Sequence, residues 1–423
     1  MNKRLTNSIK IIFLVLWISP WHGVSQNTVK DLNALKDIGD FISLKAPDTL
    51  ASLKVGKLYL PVLPILGYAP ANGFLVGAGL APGILIDSIS NTHLSTGLAN
   101  FQITSLGQKN INFRHNIYTS RDNFILQGDW RLLFFSQPTF GLGINDFPPV
   151  FSLNGLDLNE LEEDGAQPMK FNYFRFYETV LKRIKGRLYA GIGLYLDYHW
   201  NIQDERLSLD NESPFFTSHY TYSIIEGFNV NKYITNGLMF RTVYDNRDNS
   251  VNPYKGFYLD AGLRFNSTLL GSDKNSTQVL LEARKYLTLK ENAQHLAFWL
   301  TGSYILSGTM PYLALPSIGW DTYNRSGRGF IQGRFRGRNM LMAEAEWRFS
   351  ITKSGFLGGV VFLNTLTTEN KYINQAFAEK FVLGYGTGLR IKMNKETRTN
   401  ICVDFGFGSE GSKGIYFGLQ EVF

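Results

Sequence analysis

In the stretch GFYLDAGLRF, residues 256–265, Phe257, Leu259, Ala261, Leu263 and Phe265 alternate with Tyr258, Asp260, Gly262 and Arg264. Residues 401–407 repeat the pattern, with Ile401, Val403, Phe405 and Phe407 set against Cys402, Asp404 and Gly406. In 341–349 the apolar positions are Leu341, Ala343, Ala345, Trp347 and Phe349, and Glu344, Glu346 and Arg348 fall between them. Successive side chains of a strand point to opposite faces. Each stretch therefore predicts a strand with one apolar face and one face that carries charge.

Soluble sandwiches also alternate, but their strands are usually about five or six residues long. Many runs here reach ten or more residues, the length a tilted strand needs to cross a bilayer. The pattern predicts strands near 73–86, 93–105, 109–119, 122–136, 170–182, 187–202, 217–230, 234–246, 256–267, 275–287, 294–307, 340–351, 356–367, 381–393, 397–407 and 414–423. The even number suits a closed bacterial barrel. The expected fold is all-β: a single transmembrane antiparallel β-barrel of about 16 strands over residues 61–423.

The turns at 352–354 and 394–396 are short, whereas the connections after 307 and 367 are long. With the C-terminus in the periplasm, the strand count puts 308–339 on the outer side. The same count puts 137–169, with its NDFPPV and LNELEEDG, on the periplasmic side, where connections are normally short. Either a strand is miscounted or a periplasmic excursion exists; 203–235 is the hardest region to assign. Upstream, 27–60 offers one amphipathic helix through Leu32, Leu35, Ile38 and Ile42. It is too short for a separate domain.

Composition narrows the setting. The chain of 423 residues opens with Lys3, Arg4 and Lys10 before an apolar run from Ile11 to Trp17, followed by Gly23–Ser25. That is the layout of a secretory signal peptide over 1–26; a spanning helix needs roughly 20 apolar residues. No later window of about 19 residues is continuously apolar, which excludes transmembrane helices. Cys402 is the single cysteine, so there is neither an internal disulfide nor a cysteine metal pair. The net charge of +7 falls to about +4 without the three N-terminal cations, too mild to argue for nucleic acid. Aromatic content of 14%, 41 glycines and a mean hydropathy near zero fit strands with one lipid face and one wet face.

The segment GRGFIQGRFRGRN, residues 327–339, runs directly into the strand that carries Glu344 and Glu346. This long outer loop is expected to fold back into the lumen and set a guanidinium against those carboxylates. Arginine suits the task because its planar fork pairs bidentately and its charge does not titrate away. Gly327 and Gly329 flank Arg328 and permit a tight turn, and Phe330 would wedge against the wall. A solvated loop binding lipopolysaccharide phosphates is the alternative; RNA binding suits an exported chain poorly. At the predicted first strand, Gly73, Gly77, Gly79 and Gly83 offer no side chain to pack, and Pro82 has no ladder donor. A weak seam with the last strand follows, unless the glycines merely ease curvature. Phe423 is expected in the aromatic girdle at the end of that last strand.

The run 327–349 resembles the sixth-loop Arg-Gly-Phe/Tyr motif and following strand of the bacterial surface antigen superfamily, the BamA/TamA-type outer-membrane assembly factors. VYDNRDNSVNPYKGFYLDAG, with Asp245, Arg247, Asp248, Pro253 and Gly256, resembles the same family's Asp-x-Arg-Asp…Asn-Pro-x-x-Gly hairpin. LPVLPILGYAPANGFLVGAG (60–79) resembles the start of its first strand, and GLQEVF its terminus. The resemblance implies a sixteen-stranded barrel, loop six threaded inside with Arg328, Gly329 and Phe330 at its tip, and a weak seam between first and last strands.

Two departures stand out. Where the family has an aromatic-x-Asp-x-Gly motif, this chain has Phe362, Leu363, Asn364, Thr365 and Leu366. Arg328 then lacks its usual partner, and Asp404, Glu344 or Glu346 must serve. The family's periplasmic POTRA domains have no room in 27–60, so the chain resembles the POTRA-less branch found in Bacteroidetes-type bacteria. A receiving module would come from a partner.

Catalytic motifs are absent from the sequence: no Gly-x-Ser-x-Gly, no phosphate loop and no His-Glu-x-x-His. His93 with Ser95, or His115, offers a remote match to a barrel-embedded lipid hydrolase, although lone histidines are more often girdle or lumen residues. The leading expectation is a non-enzymatic factor without cofactor that inserts or moves protein or lipid at the outer membrane. Its expected partners are outer-membrane lipid, lipopolysaccharide and periplasmic or outer-membrane subunits, with a homodimer left open. The alternatives are a passive pore or scaffold, with Asp260, Arg264, Glu344, Glu346, Arg348 and Asp404 setting selectivity, or the lipid hydrolase.

Overall fold

A computed structural model describes residues 35–40, 54–60, 62–69, 73–88, 92–144, 165–210, 212, 214–291, 293–322, 324–395, 397–418 and 420–423. The predicted signal peptide, 27–34 and 41–53 of the segment expected to hold a helix, and most of 137–169 lie outside these residues; within that segment Ile38–Asp40 is a single 3-10 turn and Leu58–Tyr59 a short strand. Among the described residues, eighteen strands form one sheet. Two of them, Leu58–Tyr59 and Gly83–Ile84, span two residues each and pair with one another. The other sixteen build the wall. They are β1 (Val62–Ala69), β2 (Gly73–Leu80), β3 (Ser95–Thr104), β4 (Lys109–Tyr118), β5 (Phe124–Thr139), β6 (Gln167–Lys185), β7 (Leu188–Asp204), β8 (Tyr233–Asp245) and β9 (Gly256–Asn266). After them come β10 (Ser276–Lys290), β11 (Gln294–Gly308), β12 (Asn339–Ser350), β13 (Leu357–Thr368), β14 (Val382–Asn394), β15 (Thr399–Gly408) and β16 (Lys413–Gly418). Each pairs antiparallel with its sequence neighbours, and β16 lies beside β1, so the sheet runs round as a barrel.

The sequence alternation becomes an inside and an outside. On β12, Met342, Glu344, Glu346 and Arg348 are buried, whereas Trp347 is exposed. On β13, Phe362 and Asn364 are buried, but Val361 and Leu363 face outward. On β15, Cys402 and Asp404 point in, and Phe405 and Phe407 point out. Apolar side chains that would be a liability in water are here the face that meets lipid.

The total of sixteen long strands conceals two compensating errors in the expectation. Residues 62–69 form a strand that alternation did not show, in part because Pro64 and Gly67 interrupt the pattern. Residues 217–230 are not a strand; Ser218–Glu226 is a helix, α1. Its stops were written in the sequence: the Thr217 side chain accepts a hydrogen bond from the Tyr220 amide, and Gly227 closes the helix at φ 65°. A capping threonine and a left-handed glycine mark helix ends whatever the hydrophobic pattern between them.

Correcting both errors removes the parity conflict. The connection after β5 now shares an end with those after β7, β11 and β13. Contacts confirm it: the Gly143 amide donates to the Arg336 carbonyl at 2.8 Å. Asn370 Nδ2 donates to the Leu142 carbonyl at 3.0 Å, and Tyr222 Oη to the Met310 carbonyl at 2.7 Å. Leu142, Tyr222, Phe228, Met310, Tyr312 and Leu315 form an apolar core there. The described parts of four long connections thus make a cap over one mouth of the barrel.

The seam also needs correction. Gly77 and Gly79 lie on β2, paired with Ile65 and Leu63 of β1 on one side and Gln102 and Asn100 of β3 on the other. Pro82 follows β2. None of the three adjoins the last strand, because the uncounted β1 intervenes. Phe423 is not in an outer girdle either: β16 stops at Gly418, and Phe423 is buried in the lumen beside Trp299 and Tyr286.

Candidate functional site

The connection between β11 and β12, residues 309–338, turns into the barrel. Its base is stapled by Arg336, whose Nη1 donates to the carbonyls of Tyr312 at 2.9 Å and Leu313 at 3.1 Å. Inside, it doubles back on itself: the Ile318 amide donates to the Phe335 carbonyl and the Gly333 amide to the Ile318 carbonyl. The tip is a tight turn in which the Phe330 amide donates to the Gly327 carbonyl at 3.0 Å.

At that tip Arg328 is 2% exposed. Its Nη1 donates to Asp404 Oδ2 at 2.7 Å, and its Nη2 donates to both Glu344 and Glu346. Phe362 backs the guanidinium, with its ring centroid 3.7 Å from Cζ. A cation stacked on an aromatic face and saturated by carboxylates is held by charge and shape together. The three partners come from β12 and β15, so one side chain ties two non-adjacent strands.

Asn364 has a different job from the carboxylate it replaces. Its Nδ2 donates to the Arg328 carbonyl at 2.9 Å. An ionised carboxylate accepts only and could not make this bond. Gly329 is held from the last strand: its amide donates to Tyr416 Oη at 3.0 Å, and Ser412 Oγ donates to its carbonyl at 2.8 Å. Glycine is required there, because φ is 103° and an added Cβ would lie 2.7 Å from the Phe407 carbonyl oxygen. Phe330 is buried against Phe335, 5.1 Å between ring centroids, in a lumen core with Trp299, Ile318 and Phe423.

The expected residues Arg328, Gly329, Phe330, Glu344, Glu346, Asp404 and Asn364 are therefore one cluster. Alternation alone did not reveal its extension. Arg390 Nε donates to Glu421 Oε2 at 2.8 Å and its Nη1 to Asp404 Oδ1 at 2.5 Å. Arg348 Nε donates to Glu346 Oε2 at 2.7 Å. A signal existed: lumen-facing positions 384, 386, 388 on β14 and 406, 408 on β15 are all glycine. A Cβ on Gly406 would stand 2.6 Å from the Gly329 amide nitrogen. Glycines at every second position mark a wall against which another backbone rests.

The hairpin residues Asp245, Arg247, Asp248, Pro253 and Gly256 sit apart, at the opposite end from the cap. Asp245 pairs with Arg247 at 2.7 Å. Asp248 Oδ1 accepts from the amides of Tyr254 and Lys255, and its Oδ2 pairs with Arg398 at 2.7 Å. The other charges singled out on the wall pair across strands: Asp260 with Arg241, and Arg264 with Asp197 at 2.7 Å. The histidines and Ser95 that suggested a hydrolase each have partners. His93 Nδ1 bonds to Asp122 Oδ2 at 2.6 Å, Ser95 Oγ is engaged by the main chain of Tyr118, and His115 Nε2 faces Glu178 at 3.1 Å.

A family model described as the Omp85 superfamily domain matches residues 169–423. Among solved structures, BamA from Haemophilus ducreyi lacking POTRA domains 1–3 superposes with a TM-score of 0.54 at 14% identity, over 86% of this chain and 75% of that one. CdiB from Acinetobacter baumannii gives 0.50 at 12% identity, over 94% and 73%. CdiB from Escherichia coli gives 0.52 at 8% identity, over 86% and 67%. Identities this low show a shared fold. No curated protein sequence matches the chain.

Proposed function

Because this chain belongs to the Omp85 superfamily, we propose that it is an outer-membrane factor that inserts or translocates protein by opening the barrel between β1 and β16. The observation that carries this reading is the asymmetry of that seam. β1 has 8 residues and β16 has 6, against 19 and 17 for β6 and β7. Strands this short can share few ladder hydrogen bonds, so parting β1 from β16 costs less than parting β6 from β7.

The tip braces the β16 side, whereas the rest of the loop is tied to β5, where Gln137 Nε2 donates to the Gln332 carbonyl and Arg131 Nη2 to the Thr322 carbonyl. Arg328 and Gly329 engage β12, β13, β15 and β16. Among the described residues, no hydrogen bond joins the loop tip to β1 or β2. On this reading β16 stays with the braced side, and β1 is the strand that moves. A passive pore fits less well, since the loop tip and its apolar core occupy the lumen. Partner subunits would deliver the client.

The test is a disulfide scan between β1 and β16 in a Cys402→Ser background, with the protein reconstituted in vesicles and barrel insertion followed by protease protection. Locked seams should abolish insertion and reduction should restore it. A control lock between Val180 and Ile192, partners on the far wall, should leave insertion intact. Full insertion by seam-locked protein sinks the proposal.

A further inference from the structure

At the mouth away from the cap, a cavity of about 50 Å³ lies between the 246–255 hairpin, β11, β12, β14 and β15. It is lined by Asn252, His295, Arg348, Lys392, Asn400 and Glu421. All six are more than nine-tenths buried. Arg390 lines it too; Arg348 and Arg390 pair outside the cavity with Glu346 and Asp404, and within it the two guanidiniums and the Lys392 ammonium face a single carboxylate. That carboxylate is already taken: Glu421 accepts from Arg390 Nε at 2.8 Å and from Asn400 Nδ2 at 2.6 Å.

Several polar groups around this cavity are left over. Arg348 Nη1, His295 Nδ1, Asn252 Oδ1 and Asn400 Oδ1 are buried without a hydrogen-bond partner. The Lys392 ammonium has no ion-pair partner among the described residues, although the side chain is 8% exposed. An unpaired buried donor costs about 1–3 kcal/mol, and more when charged. Structures seldom leave so many together unless something fills the space between them.

We propose that this cavity is a binding site for a phosphate-sized oxyanion. Arg348 Nη1 and Lys392 Nζ supply charged donors to its oxygens. Asn252 Oδ1 and Asn400 Oδ1 can only accept, so the ligand must also bring a donor. Hydrogen phosphate has both acceptor oxygens and a P–OH; a carboxylate has no donor to offer. The cavity admits one such group, either as the free anion or as the phosphoryl end of a larger solute reaching in from the mouth. The hairpin motif acquires a role in this arrangement. Its Tyr254 stacks on His295, 3.8 Å between centroids, and Arg398 covers Tyr254 at 4.1 Å, closing one side of the site.

The experiment is titration calorimetry on the full chain in detergent with inorganic phosphate, glycerol 3-phosphate and acetate. One saturable phosphate site is expected, weakened at least tenfold in Lys392→Gln and also weakened in His295→Phe, which keeps the stack on Tyr254. Lys371→Gln, at the capped end, should bind as the parent does. Equal binding of glycerol 3-phosphate assigns the phosphoryl end of a larger solute, and exclusive binding of inorganic phosphate assigns the free anion; either upholds the site. Absence of saturable binding, unchanged affinity in Lys392→Gln, or acetate competing as well as phosphate overturns it.

Discussion

The far wall and the seam side of this barrel hold their buried charges in opposite ways. On the far wall, Asp197 receives Arg264 from β9, Arg175 from β6 and hydroxyls from Tyr173 and Tyr177. Asp129 is likewise held by Arg131 on its own strand and by Arg114 and Arg175 on the strands beside it. The Asp197 network is local to the sheet, and both sit on long ladders, such as the β6–β7 register from Met169 to Lys185. Arg131 also reaches the inserted loop, donating to the Thr322 carbonyl at 2.7 Å and to Asn324 Oδ1 at 3.0 Å. On the seam side, Glu344, Glu346 and Asp404 share a cation delivered by a loop. Where the ladder is short, integrity is delegated to an inserted side chain.

The strongest way to break this comparison is to remove that side chain. Arg328→Ala leaves three buried carboxylates with Arg348 and Arg390 as remaining cations, and breaking a buried pair by deleting one partner costs about 3–5 kcal/mol. Denaturant unfolding in detergent should show a loss of this order. Hydrogen exchange should quicken in β16, Lys413–Gly418, before it changes in β6 and β7. Uniform quickening around the barrel would mean that the latch does not act locally.

The far-wall counterpart is smaller. Arg264→Ala removes a guanidinium 2% exposed, yet Asp197 keeps Arg175 and two tyrosine hydroxyls. The cost expected is about 1–3 kcal/mol, the range for an incompletely satisfied buried group. Its exchange signature should centre on β7 to β9, with the tip of the loop and β16 undisturbed. A larger loss than in Arg328→Ala would reverse the assignment of which side depends on a single residue.

Much of this was readable without coordinates. Strict alternation in 256–265, 341–349 and 401–407 gave both strands and facing, because a period of two has one solution once lipid covers one side. Arg328 between glycines, next to inward Glu344 and Glu346, was enough to expect the latch. What alternation misread was local. In 62–69 a proline and a glycine break a true strand, and in 217–230 apolar residues suit either a strand or a short capped helix. Those two cases shifted the seam by one strand and turned a long connection upside down. The inward placement of Phe423 had no pattern to betray it: the residue suits a lipid interface and a lumen core equally well, and only Trp299 and Tyr286, distant in sequence, decide.

The smallest effect asks whether the two sides are coupled through the cap. Glu226, at the end of α1 above the far wall, pairs with Lys371 at 2.5 Å and accepts from Tyr372, both in the connection above the seam side. Burial alone would raise the Glu226 pKa, but the hydrogen bonds from Lys371 and Tyr372 outweigh it and hold the carboxyl below its usual range. A carboxyl depressed in the folded state stabilises it fully above the unfolded pKa and loses that contribution as pH falls through the depressed value. The Lys371 side chain is 54% exposed, so solvent screening keeps the pair to at most about 1 kcal/mol. Amides of Lys371–Gln375 should therefore lose protection on acidification in the parent and show no such step in Glu226→Gln. If β16 loses protection in step with them, the cap carries strain from one side of the barrel to the other; if only the connection responds, the latch alone governs the seam.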